Sequence, residues 1–215
     1  MKYNKPINTL TERLAELRLI PVVAIPDSSQ AIPLADALNN ASLPCAEITF
    51  RTEAAEESIH LITSQFPKML IGAGTIVNTA QAERAVKAGA KYLVSPGFSA
   101  SVVEWCLAHE IAIFPGVATS TEIITALDYG LNVLKFFPSE NLGGVAMLKA
   151  LHGPFKEIKF IPTGGISPEN LSSYLALPNI LALGGTWFVK ENLIRERRFS
   201  EIETLTREAW RLTHP

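Results

Sequence analysis

A lysine stands in the middle of one of the most apolar runs of this chain. The stretch NVLKFFPSE, residues 132–140, places Lys135 between two pairs of apolar residues, and Pro138 ends the run. This pattern is typical of a buried β-strand, in which an unpaired ammonium is costly. Either the side chain lays its stem on apolar surface and keeps its amine in water, or it is held neutral and acts as a nucleophile.

Further polar residues stand where other predicted strands end. Glu47 lies in one such strand with Arg51 just after it, Thr75 follows the next strand, and Pro96 follows a third. Because successive strand residues point to opposite faces, Glu47 and, if the strand continues, Arg51 share one face. A carboxylate and a guanidinium can therefore meet Lys135 if that lysine points into the same opening. The alternative is a structural ion pair between Glu47 and Arg51.

Two glycine pairs follow the last two predicted strands. They lie in TGGIS, residues 163–167, and in GGTW, residues 184–187. Barrels of alternating strands and helices commonly bind phosphate at these two loops, through backbone N–H groups aimed at the anion. Ser167 before Pro168 is typical of a helix N-cap with proline at the first helical position. The pattern favours a phosphate site, although the glycines could serve only to make tight turns.

The elements that must position these residues alternate regularly. Short β-type runs recur roughly every 20–25 residues, each followed by a helix-like stretch, which indicates a parallel α/β protein. The predicted strands are Leu19–Ile25, Ala46–Phe50, Met69–Ala73, Tyr92–Ser95, Ile111–Pro115, Val133–Phe137, Ile158–Pro162 and Ile180–Leu183. An amphipathic helix containing Leu10, Leu14 and Leu17 precedes them, and Phe199–Leu212 is the predicted closing helix.

The strand pattern fits either a doubly wound sheet or a closed barrel. The units are short and uniform, and GAGT at residues 72–75 lacks the third glycine and the acidic residue of a dinucleotide fingerprint. We therefore predict an α/β fold of the (β/α)₈ TIM-barrel class with an N-terminal helix, forming a single domain over residues 1–215.

Composition excludes several classes of function. Apolar residues make up 47% of the chain and the formal net charge is −2, so neither a nucleic-acid nor a membrane partner is expected. The first twenty residues lack the apolar core of a signal peptide. The 2 cysteines, Cys45 and Cys106, and the 4 histidines show no metal-ligand spacing. We expect a cytoplasmic protein without a bound metal.

Eight ordered motifs carry a resemblance to a known family. They are EITFRT, GAGT, SPGF, FPGVAT, LKFFPSE, GPF, PTGGISPEN and GGTW, and the match extends from about residue 18 to the C-terminus. The chain resembles the 2-keto-3-deoxy-6-phosphogluconate (KDPG) aldolases, whose bacterial members often also cleave 4-hydroxy-2-oxoglutarate (KHG). The resemblance implies a homotrimer of (β/α)₈ barrels that uses Schiff-base chemistry without a metal or another cofactor.

The resemblance also implies a role for each site residue. Lys135 is similar to the Schiff-base lysine and Glu47 to the general acid–base. The implied ligands of the keto-acid part of the substrate are Arg51, Thr75, Pro96, Phe137 and Thr163. The implied phosphate ligands are Gly164, Gly165, Gly185 and Thr186. Thr186 replaces the serine that is usual in the family's GGSW motif, which leaves the pose of the phosphate open.

The implied reaction is the cleavage of KDPG, a keto-acid sugar phosphate, to pyruvate and glyceraldehyde 3-phosphate, with KHG cleavage to pyruvate and glyoxylate as a second activity. An amine must be neutral to attack a ketone, and burial beside Phe136 and Phe137 together with a nearby Arg51 disfavours the ammonium. Three alternatives stay open: an aldolase for the phosphogalactonate isomer, a phosphate-binding barrel isomerase with Glu47 as base, and a sugar-phosphate binder without catalysis.

Overall fold

Strands and helices alternate through the computed structural model, which describes residues 5–214. The strands are β1 (Leu19–Val23), β2 (Cys45–Thr49), β3 (Leu70–Gly74), β4 (Tyr92–Val94), β5 (Ala112–Phe114), β6 (Gly116–Val117), β7 (Val133–Phe136), β8 (Lys159–Pro162) and β9 (Leu183–Gly185). The helices are α1 (Lys5–Leu17), α2 (Ala31–Asn40), α3 (Ala55–Gln65), α4 (Thr79–Lys87), α5 (Ala100–Ala108), α6 (Ser120–Asp128), α7 (Gly144–His152), α8 (Leu171–Leu175), α9 (Glu191–Arg195) and α10 (Phe199–Thr213). The predicted first and last helices are confirmed as α1 and α10.

Every strand pair of the curled sheet is parallel. Six strands follow the order β5-β4-β3-β2-β1-β9 and three follow the order β6-β7-β8. Two isolated bridges, Phe160 to Ile180 and Thr163 to Gly184, connect the β8 region to the β9 region. The structure therefore confirms the α/β class with a parallel, curled sheet.

Two predicted strands differ from the observed ones by more than a shift of one or two end residues. The predicted strand Ile111–Pro115 is divided into β5 and β6 at Pro115, because proline has no N–H to donate to a sheet ladder. The last strand is Leu183–Gly185 and not Ile180–Leu183, since Ile180 forms only an isolated bridge and β9 pairs with β1 from Leu183 onward. One glycine pair therefore lies inside a strand.

Burial on both faces of the sheet explains the apolar composition of the strands. All residues of β1, β2 and β3 are buried, as expected for parallel strands covered by helices. Helix α10 packs on α2, and Leu14 and Leu17 of α1 belong to the core. No helix within residues 5–214 is long and apolar enough to cross a membrane. The packed sheet gives the residues at the strand ends a rigid support.

Candidate active site

A buried ion pair joins two strands that are distant in the chain. The Nζ atom of Lys135 in β7 lies 3.3 Å from Oε1 of Glu47 in β2. Lys135 is 6% exposed and Glu47 is 2% exposed, so the interpretation of Lys135 as a lysine that reaches into water is wrong. The surroundings of Lys135 are not only apolar, because the carboxylate of Glu47 lies within hydrogen-bond distance of its amine.

The last residue of β3 makes room for this pair. A Cβ atom on Gly74 would overlap Oε1 of Glu47. Any side chain at this position therefore has to push the carboxylate away from Lys135. Gly74 is part of the GAGT motif, but its task could not be read from the motif, because the clash involves a residue on the neighbouring strand.

Thr75 follows Gly74 in a strained backbone conformation. Its φ angle is +59°, and a β-branched residue rarely occupies this left-handed region. The N–H of Ile76 donates to the carbonyl of Val94 at 3.1 Å and ties the segment to the next strand. Strain of this kind is concentrated at functional sites, and the ligand role of Thr75 stays a prediction.

An aromatic ring lies beside the lysine. The Nζ atom of Lys135 is 5.2 Å from the ring centroid of Phe137, a distance typical of a cation–π contact. Phe137 is 36% exposed, so its ring separates the buried amine from the surface. The carbonyl of Pro96 packs on Gly116, the residue paired with Lys135 in the sheet.

Arg51 does not join the charged pair. Strand β2 ends at Thr49 and a turn follows, so the alternation expected to direct Arg51 toward Glu47 does not continue. The side chain of Arg51 is exposed and lines a surface hollow together with Gln81 and Arg84. Within residues 5–214 the ion pair of Glu47 is formed with Lys135, and none joins Glu47 to Arg51.

Thr163, directly after β8, lies next to the last strand. It is buried and bridges to Gly184, where a Cβ atom would overlap Oγ1 of Thr163. Gly164 and Gly165 follow with φ angles of +96° and +82°, in the region that favours glycine. The structure thus brings together three of the predicted site residues at the end of β8.

The second glycine pair and the predicted helix start are corrected by the structure. Gly185 is the last residue of β9 and is buried, and only Thr186 lies in the exposed loop after the strand. The helix after Gly165 begins at Leu171 with Asn170 as N-cap. The predicted N-cap residue, Ser167, lies one turn earlier, where its carbonyl accepts hydrogen bonds from the N–H groups of Asn170 and Leu171 and its own N–H donates to Oδ1 of Asn170.

The two cysteine thiols are poorly suited to nucleophilic chemistry. Burial raises the pKa of Cys106 to about 12, and burial likewise raises the pKa of Cys45. A thiol attacks as its thiolate, and the raised pKa values make the thiolate scarce at neutral pH. Both cysteines belong to the hydrophobic core. Residues 5–214 contain no cluster of three His, Cys, Asp or Glu side chains that could hold a metal ion.

Residues outside the predicted set also contact the glycine loop after β8. Glu140 and Tyr174 are hydrogen-bonded to each other, and the side chain of Glu140 lies against Gly165. The sequence gave one weak indication of a role for Glu140, which is an acidic residue in the segment that follows Lys135. It offered none for Tyr174, which comes from a different helix.

Comparisons with known proteins agree with this arrangement. The family model described as KDPG and KHG aldolase matches residues 10–205. The chain is 45% identical over 200 residues to the 2-dehydro-3-deoxy-phosphogluconate aldolase of Treponema pallidum, covering 93% of this chain and 95% of that protein. It is 38% identical to the KHG/KDPG aldolase of Escherichia coli, covering 89% of this chain and 90% of that protein.

A solved structure shows the same backbone arrangement. The KDPG aldolase of Legionella pneumophila superposes with a TM-score of 0.89 at 38% identity, over 95% of this chain and 98% of that one. That crystal structure contains pyruvate captured at low pH as a covalent carbinolamine intermediate.

Proposed function

Because the chain belongs to the KDPG and KHG aldolase family, we propose that Lys135 is its Schiff-base lysine and Glu47 its general acid–base. The protein is a class I aldolase, a carbon–carbon lyase that cleaves KDPG to pyruvate and glyceraldehyde 3-phosphate. The observation that carries the assignment of roles is the buried contact of 3.3 Å between the amine of Lys135 and the carboxylate of Glu47.

The contact provides a route for the first proton transfer. Glu47 accepts a proton from Lys135, and the neutral amine attacks the keto carbon at C2 of the substrate to form a carbinolamine. The carboxyl group of Glu47 then returns the proton to the carbinolamine hydroxyl, which leaves as water. An iminium that links Lys135 to C2 is the product.

The iminium then acts as the electron sink for cleavage. Glu47, through a water molecule, removes the proton of the C4 hydroxyl group, the C3–C4 bond breaks, and its electron pair moves into an enamine on C2 and C3. Glyceraldehyde 3-phosphate leaves, and the carboxyl group of Glu47 returns the proton to C3 through the water molecule. Water then adds to the resulting pyruvate iminium and releases pyruvate and Lys135. The pair thus supports every proton transfer of the cycle without further catalytic residues.

The remaining site residues are proposed to bind the two ends of the substrate. Thr75 and Arg51 bind the carboxylate of the keto acid, which requires the exposed side chain of Arg51 to turn toward the pair. Pro96 and Phe137 form the walls of the pocket, a role supported by the ring of Phe137 over the amine. Thr163 lies near the stereocentre at C4, which its position at the end of β8 supports.

The phosphate is proposed to bind to the loops after β8 and β9. The proposed ligands are Gly164, Gly165, Gly185 and Thr186. The positive φ angles of Gly164 and Gly165 support this role, because glycines in turns of this kind often form the anion-binding concavities of protein backbones. The hydroxyl group of Thr186 is exposed in its loop and is able to donate to the phosphate.

We also propose a single closed (β/α)₈ barrel over residues 1–215. The segments β5 and β6, separated only by Pro115, would form one strand, and the bridge from Thr163 to Gly184 would close the ring. A homotrimer is proposed from the family resemblance, and a cytoplasmic location from the free thiols of Cys45 and Cys106. Multi-angle light scattering on the purified protein tests the trimer.

Trapping with borohydride tests the central assignment. Incubation with pyruvate and borohydride should add one reduced pyruvate adduct, and peptide mapping should locate it on Lys135. The Lys135→Ala variant should show neither the adduct nor cleavage. An unmodified Lys135 in the wild type, or an active Lys135→Ala variant, would contradict the assignment. Wild-type activity should also survive a strong chelator.

A further inference from the structure

Three side chains form a hydrogen-bonded cluster behind the glycine loop, which we call the Tyr174 cluster: Ser139, Glu140 and Tyr174. The hydroxyl of Tyr174 donates to Oε1 of Glu140 and lies 2.9 Å from Oγ of Ser139. Because the single phenolic proton goes to the carboxylate, the Ser139 hydroxyl donates to the Tyr174 oxygen. Tyr174 and Ser139 are both 0% exposed, so the cluster is held in one arrangement.

The same cluster holds three successive residues of the loop after β8. The N–H of Ser139 donates to the carbonyl of Thr163 at 2.8 Å, and the N–H of Glu140 donates to the carbonyl of Gly164 at 3.1 Å. The side chain of Glu140 lies across Gly165, where a Cβ atom would be 2.5 Å from Cγ of Glu140. A shift of Glu140 therefore moves the loop or uncovers it.

The negative charge of Glu140 makes the direction of its carboxylate important for phosphate binding. A carboxylate beside a loop that binds a phosphate repels the phosphate unless it is turned away. The hydroxyl of Tyr174 fixes this carboxylate toward the protein interior, although Glu140 as a residue is exposed. Burial and the hydrogen bond to Glu140 raise the pKa of Tyr174 to about 12, so the phenol stays a donor at neutral pH.

We propose that Tyr174 is a positioning residue that sets the affinity of the enzyme for the phosphorylated end of its substrate. It does so by holding Glu140 against Gly165 and by directing the Glu140 carboxylate away from the bound phosphate. The inference rests on the proposed phosphate role of the loop, and it adds a residue that does not touch the substrate.

Tyr174→Phe removes the hydroxyl and keeps the ring in its place. We expect the KM for KDPG and the inhibition constant of inorganic phosphate each to rise by about tenfold, which corresponds to about 1.4 kcal/mol. The kcat for KDPG and the rate at which pyruvate and borohydride modify Lys135 should stay within ~2-fold, because pyruvate carries no phosphate. Glu140→Gln still accepts the phenolic proton and should keep wild-type phosphate affinity.

Tyr129→Phe is a matched control from the same chain. The hydroxyl of Tyr129 donates to Oε1 of Glu104 at 2.8 Å, so the control removes the same type of hydrogen bond at another place. It should leave both constants unchanged. If Tyr174→Phe does not fold, Ser139→Ala, which removes the hydroxyl that donates to the Tyr174 oxygen, should show a selective loss of phosphate affinity of the same kind.

The outcomes separate this inference from the proposed function. Equal losses with KDPG and with pyruvate, or a Tyr174→Phe variant that behaves like Tyr129→Phe, would overturn the positioning role while the wild type remains a trappable aldolase. A wild type that pyruvate and borohydride do not modify would instead overturn the proposed roles of Lys135 and Glu47. A selective rise in both phosphate-dependent constants supports the inference.

Discussion

Glu47→Gln is the substitution that tests the mechanism most directly. Glutamine has the shape of glutamate, so its side chain fits in the space left by Gly74 and keeps an oxygen near Nζ of Lys135, where the carboxylate oxygen is 3.3 Å away. The amide cannot exchange protons with the amine or with a substrate hydroxyl. The substitution therefore removes proton transfer and keeps the packing.

Glu47→Gln is expected to lower turnover much more than stability. A general acid–base group contributes about 10²–10⁴-fold to turnover, which corresponds to about 2.7–5.4 kcal/mol of the barrier. Breaking a buried ion pair costs about 3–5 kcal/mol if the remaining charge stays unpaired. The cost here should be well below that range, because the amide oxygen still accepts a hydrogen bond from Lys135. We therefore expect a large loss of kcat with a small loss of stability.

Three measurements check this expectation: the kcat of pyruvate release from KDPG, the rate of pyruvate trapping by borohydride, and the thermal midpoint. Lys135 should remain trappable, but more slowly than in the wild type. Glu104→Gln serves as a control, because Glu104 accepts a hydrogen bond from Tyr129 and lies outside the proposed site. A Glu47→Gln variant with normal turnover and a lowered thermal midpoint would refute the acid–base role and leave a structural ion pair. Unchanged trapping with loss of a sugar-phosphate isomerisation would favour an isomerase.

Gly74→Ala should push the carboxylate of Glu47 off the lysine and lower kcat by ~10²-fold, whereas Gly153→Ala, at a right-handed position with φ −57° and ordinary contacts, should leave kcat unchanged. In Gly165→Ala the new Cβ atom would lie 2.5 Å from Cγ of Glu140, and the alanine would have to adopt a φ angle of +82°. The KM for KDPG should rise by ~10-fold or more while pyruvate trapping is unaffected. Because the pKa of Tyr174 is raised from 10.0 to about 12, its contribution to stability is complete below pH 10 and is lost as the pH rises toward 12. Raising the pH from 10 to 12 should therefore lower the free energy of unfolding of the wild type more than that of Tyr174→Phe, which urea unfolding at several pH values measures.

Local patterns of the sequence predicted most of the elements and directed attention to the central residues of the proposed site. The alternation of apolar runs with helical stretches predicted the parallel α/β fold, because strand and helix periods are properties of neighbouring residues. A lysine inside an apolar strand drew attention to Lys135 for the same reason, since the desolvation of its charge follows from the apolar residues beside it in the sequence. Strand parity predicted that Glu47 could face it.

Contacts between distant segments were decided only by the tertiary structure. The packing of β2, β3 and β7 pairs Glu47 with Lys135, leaves Arg51 on the surface and requires Gly74 to lack a side chain. Tyr174 reaches Glu140 from another helix, and no periodicity links the two positions. Propensity and pattern act over a few residues, whereas each of these contacts depends on how whole strands and helices pack against one another.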